Sequence, residues 1–296
     1  MNNKYPIYIV SKGRWENPLT ANFFKKDNVD FKIVVEPKEY DNYCDSIGAK
    51  YVLQLPFEDL DLGSYPARNF AWEHSMKEGH ERHWIFDDNI RGIQRTNKGK
   101  RIRCDSKKAI KVLEDFTDRY ENIAITSFNY YKFVIPGVSD TIPFRFNVHG
   151  YSALLIKNNM PYRWRMKYNE DIDLCLQVLH NKLCTVLFNA FVIYKVSTVE
   201  KMKGGNQTDL YKGNAYEKKF LKARSLEEVW PQYAKTIIRF NRPHHLINWR
   251  SHFKHPLIRR SDIDWDALKD KKYDFKLKKV SEIKNKSLGK FYEENR

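Results

Sequence analysis

The stretch His83-Trp84-Ile85-Phe86-Asp87-Asp88-Asn89-Ile90 decides how this chain folds. Its first four residues are a short apolar run rich in β-formers, the pattern of a buried strand. Two carboxylates and an amide follow at once. In open α/β sheets ligands bind outside the carboxyl ends of the strands, so this run sets side-chain oxygens at that edge. Closely spaced oxygens suit a hard divalent cation, and such a cation suits a diphosphate. A polar turn after a strand would use the same residue types. The stretch alone leaves both readings open.

On its amino-terminal side, strand and helix patterns alternate. Tyr5 to Val10 reads as a strand ending at Ser11-Lys12-Gly13-Arg14, and a helix follows around Pro18 to Lys26. Phe31 to Val35 is a second strand, closed by Glu36-Pro37. Tyr40 to Ile47 reads as a helix and Lys50 to Leu55 as a strand. Pro66 starts a helix over Ala67 to Gly79. This alternation predicts an α/β fold with a mostly parallel sheet flanked by helices. On the carboxyl side, Asn97 to Arg103 reads as a basic loop, and Ser106 as the cap of a helix reaching Tyr120. Strands are predicted at Ile123 to Ser127, Gly150 to Ile156 and Thr185 to Val196. Tyr168 to His180 reads as a loop entering a helix, and Ser225 as a cap for a helix toward Ala234. From Ile258 the chain turns polar and charge-rich.

At 296 residues the chain can bury a large core, and 42% hydrophobic with 15% aromatic content excludes a disordered protein. Fifty-three Lys and Arg against 37 Asp and Glu leave a charge of +16. A surplus of that size argues for a polyanionic partner, nucleic acid first. Cys44, Cys104, Cys175 and Cys184 form no close pair, so each reads as a small packed apolar residue and not as a zinc ligand. No signal peptide and no membrane-length apolar run is visible, so a reducing cytoplasmic setting and no membrane partner are expected.

Several side chains converge if the strand ends do. Gly13 lets backbone approach a ligand. Glu36 could receive ribose or base donors. Arg68 and Asn69, early in their helix, could hold a phosphate; a surface salt bridge is the plain alternative for Arg68. Tyr168-Asn169-Glu170-Asp171-Ile172-Asp173 is a second acidic cluster. Carboxylates favour a helix amino terminus for electrostatic reasons alone, but one could also serve as a general base. Gly204-Gly205-Asn206, after Lys201 and Lys203, could close over a diphosphate.

Tyr8-Ile9-Val10-Ser11-Lys12-Gly13-Arg14, Tyr65-Pro66-Ala67-Arg68-Asn69, Trp84-Ile85-Phe86-Asp87-Asp88-Asn89 and Asn169-Glu170-Asp171-Ile172-Asp173 occur in this order. Together they resemble a nucleotide-sugar glycosyltransferase of the GT-A type, and more narrowly the TET/JBP-associated glycosyltransferases, largely of bacteriophages. The resemblance spans about Tyr5 to Trp249. It implies a GT-A-like domain over residues 1–257, with a nucleotide-sugar-binding half (1–95) and an acceptor-binding half (96–257). Residues 258–296 are then a basic, polar extension. It implies a UDP-sugar donor bound by Ser11, Lys12, Gly13, Arg14, Glu36, Arg68, Asn69, Asp87, Lys203, Gly204 and Gly205. It implies Mn²⁺ or Mg²⁺ held by Asp87, Asp88 and Asn89, with Asp171 or Glu170 as catalytic carboxylate. No late His stands clearly placed to ligate that metal. The implied acceptor is 5-hydroxymethylcytosine or 5-hydroxymethyluracil in double-stranded phage DNA. The sugar would be glucose or arabinose, and the enzyme a monomer in the cytoplasm of the infected bacterial host.

Arg239 to His252 is basic and interleaved with aromatics, which fits phosphate contacts and stacking on a displaced base. Its bland alternative is a helix packing Phe240 and Trp249 into the core. His149, Arg239, Arg242, His244, His245, Trp249 and Arg250 are the expected acceptor contacts, and Lys98, Lys100, Arg101 and Arg103 a second phosphate patch. Two rivals remain. A glycosyltransferase acting on a carbohydrate or small molecule would keep the site but has no need of the charge. A non-catalytic nucleic-acid-binding protein would not need the acidic clusters.

Overall fold

The apolar run Ile7–Val10 (β1) is the hub of the sheet. It pairs in parallel with Lys32–Val35 (β2) on one side and Arg82–Asp87 (β4) on the other, and Val52–Gln54 (β3) extends β2. The register sets Val10 opposite Asp87, so the residues that follow β1 lie beside Asp87 and Asp88. Ala153–Lys157 (β9) runs antiparallel between β4 and Ile123–Tyr130 (β7). Cys184–Lys195 (β10) lies parallel to β7 and antiparallel to Ile90–Asn97 (β5), which pairs with Lys100–Arg103 (β6). Phe144–Phe146 (β8) also pairs with β10. The ten strands form one sheet, in the order β3-β2-β1-β4-β9-β7-β10-β5-β6 with β8 beside β10; β5, β8 and β9 run against the others. This is the expected mixed α/β architecture with a mostly parallel sheet, in a computed structural model that describes residues 3–97, 100–135, 142–196, 204–205 and 215–269.

Helices cover both faces. Leu19–Lys26 (α1), Tyr40–Ile47 (α2) and Ser106–Thr117 (α4) pack on the face carrying Ile7, Ile9, Trp84, Phe86 and Phe128. Tyr65–Lys77 (α3), Glu170–His180 (α5) and Ala215–Val229 (α6) pack on the face carrying Tyr8, Ile85 and Leu154, with Trp72 of α3 buried against it. The alternation of Trp84 and Phe86 against Ile85 is the two-residue period of a strand buried on both sides. That explains why β4 reads as an unbroken apolar run. All four cysteines are free thiols. No helix among the described residues is long and apolar enough to cross a membrane.

Several local expectations are corrected. Of the basic loop expected at Asn97 to Arg103, Asn97 ends β5 and Lys100–Arg103 is the strand β6 paired with it. Arg91, Gln94, Arg95 and Thr96 break the apolar pattern of β5, which hid it in the sequence although it pairs on both sides, with β10 and β6. Asp105, not Ser106, caps α4, accepting from the Lys108 amide at 3.0 Å. Ser225 lies within α6 and bonds the Lys222 carbonyl at 3.0 Å. The Arg239 to His252 segment is no core helix. It forms the second strand and turn of an antiparallel hairpin, Ala234–Arg239 (β11) with Arg242–Ile247 (β12), and then the short helix Trp249–His252 (α7). Phe240 is 81% exposed at its tip. The described start of the carboxyl-terminal extension is attached to the domain: Trp265 packs on Tyr120 at 5.4 Å.

One buried carboxylate gives a stability prediction. Glu114 of α4 is buried and accepts from the Trp84 indole at 2.9 Å. Burial pushes its pKa up to about 7 against that bond. A raised folded pKa means stability is present below the unfolded value and lost as pH rises through about 7. Glu114→Gln keeps the acceptor and removes the charge. It should stabilise the protein by roughly 2 kcal/mol at pH 8 and by little at pH 5. Equal melting shifts at both pH values would show that Glu114 is not held protonated.

Candidate active site

The ends of three strands and the starts of two helices meet at a cavity of about 560 Å³. Ser11, Lys12 and Arg14 enter it after β1, Glu36 after β2, and Asp87 to Asn89 at the end of β4. Arg68 comes from α3, Glu170 and Asp171 from the first turn of α5. His149, Tyr151, Ser152, Lys195, Lys222 and His245 also line it.

The two central carboxylates are each held by cations. Asp87 accepts from Arg68 at 3.0 Å and from Lys195 at 3.2 Å. Burial alone would raise its pKa, but Lys195 and Arg68 outweigh it and keep it ionised below the usual range. Lys195 also donates to Ser152 at 2.6 Å. Asp88 pairs with Arg14 and accepts from the Ser11 hydroxyl at 2.7 Å, and Ser11 bonds the Tyr43 hydroxyl at 2.6 Å. Here burial prevails over Arg14 and pushes the carboxyl up. Asn89 donates weakly to the Val196 carbonyl, and its buried Oδ1 has no partner among the described residues.

This donor set does not fit a bound divalent ion. Every oxygen of Asp87 and Asp88 is already engaged, by a guanidinium, an ammonium or a hydroxyl. Asn89 offers one neutral oxygen. No group of three or more His, Cys, Asp and Glu among the described residues is arranged to hold a metal. The positive charge at this sheet edge is supplied by the chain itself. Arg68 is buried, stacks over Trp164 at 4.7 Å, and lines the cavity with its Nη1 unpartnered among the described residues. A buried donor left open is costly, and an anionic oxygen would satisfy it.

The acidic pair of α5 divides into two roles. Glu170 accepts from Ser64 at 3.1 Å and lies 3.6 Å from Arg68, so it positions that guanidinium. Asp171 accepts only the Ile172 amide among the described residues, at 2.8 Å, which leaves one oxygen facing the cavity. Burial pushes its pKa up, with Lys222 and Arg68 pulling the other way. Asp173, further along α5, is fully buried and bonded by Arg165, Gln177 and Trp230. Asn169 enters α5 with a φ of 55° and donates to the Lys222 carbonyl, tying the helix start to α6.

Other expected contacts fall differently. Asn69 is spent on the backbone of Trp164, at 2.7 and 3.1 Å, and does not line the cavity. Glu36 is paired with Lys12 at 3.0 Å and Lys38 at 3.3 Å. Gly204 and Gly205 brace the loop after β1. The Gly205 amide donates to the Lys12 carbonyl at 2.7 Å, so it is not open to a diphosphate. A Cβ on Gly204 would sit 2.2 Å from the Gly13 carbonyl, which is why both loops need glycine there. Lys203, Lys201, Asn206 and Lys98 lie outside the described residues.

Elsewhere in the cavity lining, burial holds His149 and His245 neutral, each with a pKa near 4. The His149 ring stacks on Trp249 at 5.3 Å. Arg239, Arg242, His244 and Arg250 are exposed outside the cavity. Sequence reasoning missed Lys195, Ser152, Tyr151 and Lys222. Lys195 is the basic last residue of a long apolar strand, a signal that was open to reading.

A sheet edge with an arginine, a second cation and a carboxylate side by side can bind an anionic group and exchange a proton next to it. The chain belongs to the TET-associated glycosyltransferase family, whose model matches residues 5–205. None of the curated proteins compared with it matches. Among solved structures, it is similar to a Desulfovibrio desulfuricans G20 protein described as a nucleotide-diphospho-sugar transferase. The two share 9% identity over 63% of this chain and 80% of that one, with a TM-score of 0.35. That likeness adds nothing to the family match.

Proposed function

We propose that this glycosyltransferase moves a sugar from a UDP-sugar to the hydroxyl of a 5-hydroxymethylpyrimidine in DNA. The observation that carries the reading is the cavity itself. It joins a cationic end, Arg68 and Lys195, to a carboxylate, Asp171, and to a wall of neutral aromatic groups, His149, Tyr151 and His245. The diphosphate belongs at the cationic end, with its oxygens on Arg68 Nη1 and Lys195. Ser11, Lys12 and Arg14 form the floor toward the nucleoside, and Glu36 is placed to receive ribose hydroxyls.

The acceptor is a primary alcohol and needs a base as its oxygen attacks. Asp171 takes its proton while the bond from the anomeric carbon to the diphosphate oxygen breaks, and the electron pair leaves on the diphosphate. Such a direct displacement inverts the anomeric carbon. Arg68 and Lys195 stabilise the charge that gathers on the leaving group. The DNA reading rests on the +16 charge and on the exposed Arg239 and Arg242 of the β11–β12 hairpin and Arg250 of α7.

The donor half can be tested without DNA. UDP and UDP-sugars should raise the melting temperature in excess chelator, because a ligand at about a hundred times its Kd adds about 2.7 kcal/mol. Labelled sugar should then pass to hydroxymethylated DNA at the same rate with or without chelator. A melting shift or transfer that appears only on adding Mn²⁺ or Mg²⁺ would overturn the assignment of Arg68 and Lys195.

A further inference from the structure

The β11–β12 hairpin is a two-stranded ribbon with one cationic face. Side chains alternate across a strand, so Lys235, Ile237 and Arg239 share a face with their partners Leu246, His244 and Arg242. The other face carries Thr236, His245 and Pro243, and it is the face that reaches the cavity through His245. A B-DNA major groove admits a two-stranded β-ribbon of this kind.

The tip is unusual. Phe240 and Asn241 both adopt left-handed backbone, at φ 51° and 55°, in a turn that glycine would make more easily. The Phe240 ring is 81% exposed, with Arg239 over it at 5.1 Å. An aromatic held in that conformation, largely in solvent and between two arginines in sequence, joins neither hydrophobic core cluster among the described residues. From His245 at the cavity to Phe240 the ribbon runs roughly 15 Å at about 3.3 Å per residue. That exceeds the depth of a major groove, about 8.5 Å, so the tip can enter the base stack.

We propose that this hairpin docks in a groove of the DNA duplex and that Phe240 inserts into the base stack, holding the gap from which the target nucleotide has swung into the cavity. The inference rests on the DNA reading above and deepens it. Arg239, Arg242 and Lys235 neutralise the flanking phosphates. Phe240 offers a π-face to whichever base it meets, so it works at any sequence. A base inside a duplex cannot reach an enclosed carboxylate unless it is extruded, whereas a base in a single strand can.

Phe240→Ala and Phe240→Trp, each checked by melting temperature, should be assayed on hydroxymethylated duplex and on the same strand alone. Phe240→Ala should lose roughly tenfold or more of its transfer to duplex, the scale of one lost base–aromatic stack, and stay near wild type on single strands. Phe240→Trp should restore duplex transfer. A 2-aminopurine placed next to the target should brighten when wild-type protein binds and stay dim with Phe240→Ala. Equal rates on duplex for wild type and Phe240→Ala would overturn the wedge, and so would equal losses on duplex and single strand. A wild-type protein inert on both forms of DNA would overturn the DNA reading itself, and the wedge with it.

Discussion

Asp171→Asn is expected to lower transfer by roughly a hundredfold or more, the usual scale of general acid–base catalysis. UDP-sugar affinity and melting temperature should stay near wild type, because Asn keeps the shape and still accepts from the Ile172 amide. The acid limb of the pH–rate profile should disappear with the carboxylate. Glu170→Gln should behave differently. Glu170 bonds Ser64 and sits near Arg68, so its loss disturbs the donor end and should show mainly as weaker UDP-sugar binding. If Asp171 served only the first turn of α5, Asn would serve nearly as well and turnover would barely change. Full activity in Asp171→Asn would therefore end its assignment as base.

Lys195→Ala should cost on the order of a hundredfold in turnover, comparable to removing one preorganised donor from a developing negative charge. Its ammonium pairs with Asp87 at 3.2 Å and lines the cavity beside Arg68. A rival account is that Lys195 merely neutralises Asp87. The double variant separates them. If Lys195 only offsets that carboxylate, its removal in an Asp87→Asn background should cost nothing further. If it binds the diphosphate, the loss should persist in that background, and Lys195→Arg should recover part of it.

The parts of the fold legible in the sequence are those where one apolar run is closed by turn residues. Phe31 to Val35 is such a run and falls at Lys32–Val35 in the structure; Tyr40 to Ile47 shows the other clear signal, apolar residues at helical spacing, and falls at Tyr40–Ile47. β5 was not legible, because Arg91, Gln94, Arg95 and Thr96 break its apolar pattern while pairing with β10 supplies its stability. The hairpin turn at Phe240-Asn241 carries no glycine and so gives no local signal. In the site, spacing brought Asp87, Arg68 and Asp171 to one cavity, since each follows a strand or opens a helix at the same sheet edge. Spacing could not say that Asp87 and Asp88 would be saturated by Arg14, Arg68 and Lys195. Two of those cations are far from the acidic run in sequence, and Lys195 arrives on a different strand. Nor could it separate Arg68, which faces the cavity, from Asn69, which the next step around the helix turns onto Trp164.

The measurement that tests the central claim most directly is the mass of the nucleosides recovered after reaction. DNA containing 5-hydroxymethylcytosine, DNA containing 5-hydroxymethyluracil and unmodified DNA should each be incubated with a UDP-sugar panel, digested and weighed. The account predicts a nucleoside heavier by one anhydro-sugar from hydroxymethylated DNA, with at least one UDP-sugar, and nothing from unmodified DNA. Unchanged nucleosides with every donor, from a folded protein whose melting temperature rises with UDP-sugar, would contradict it and place the acceptor outside DNA.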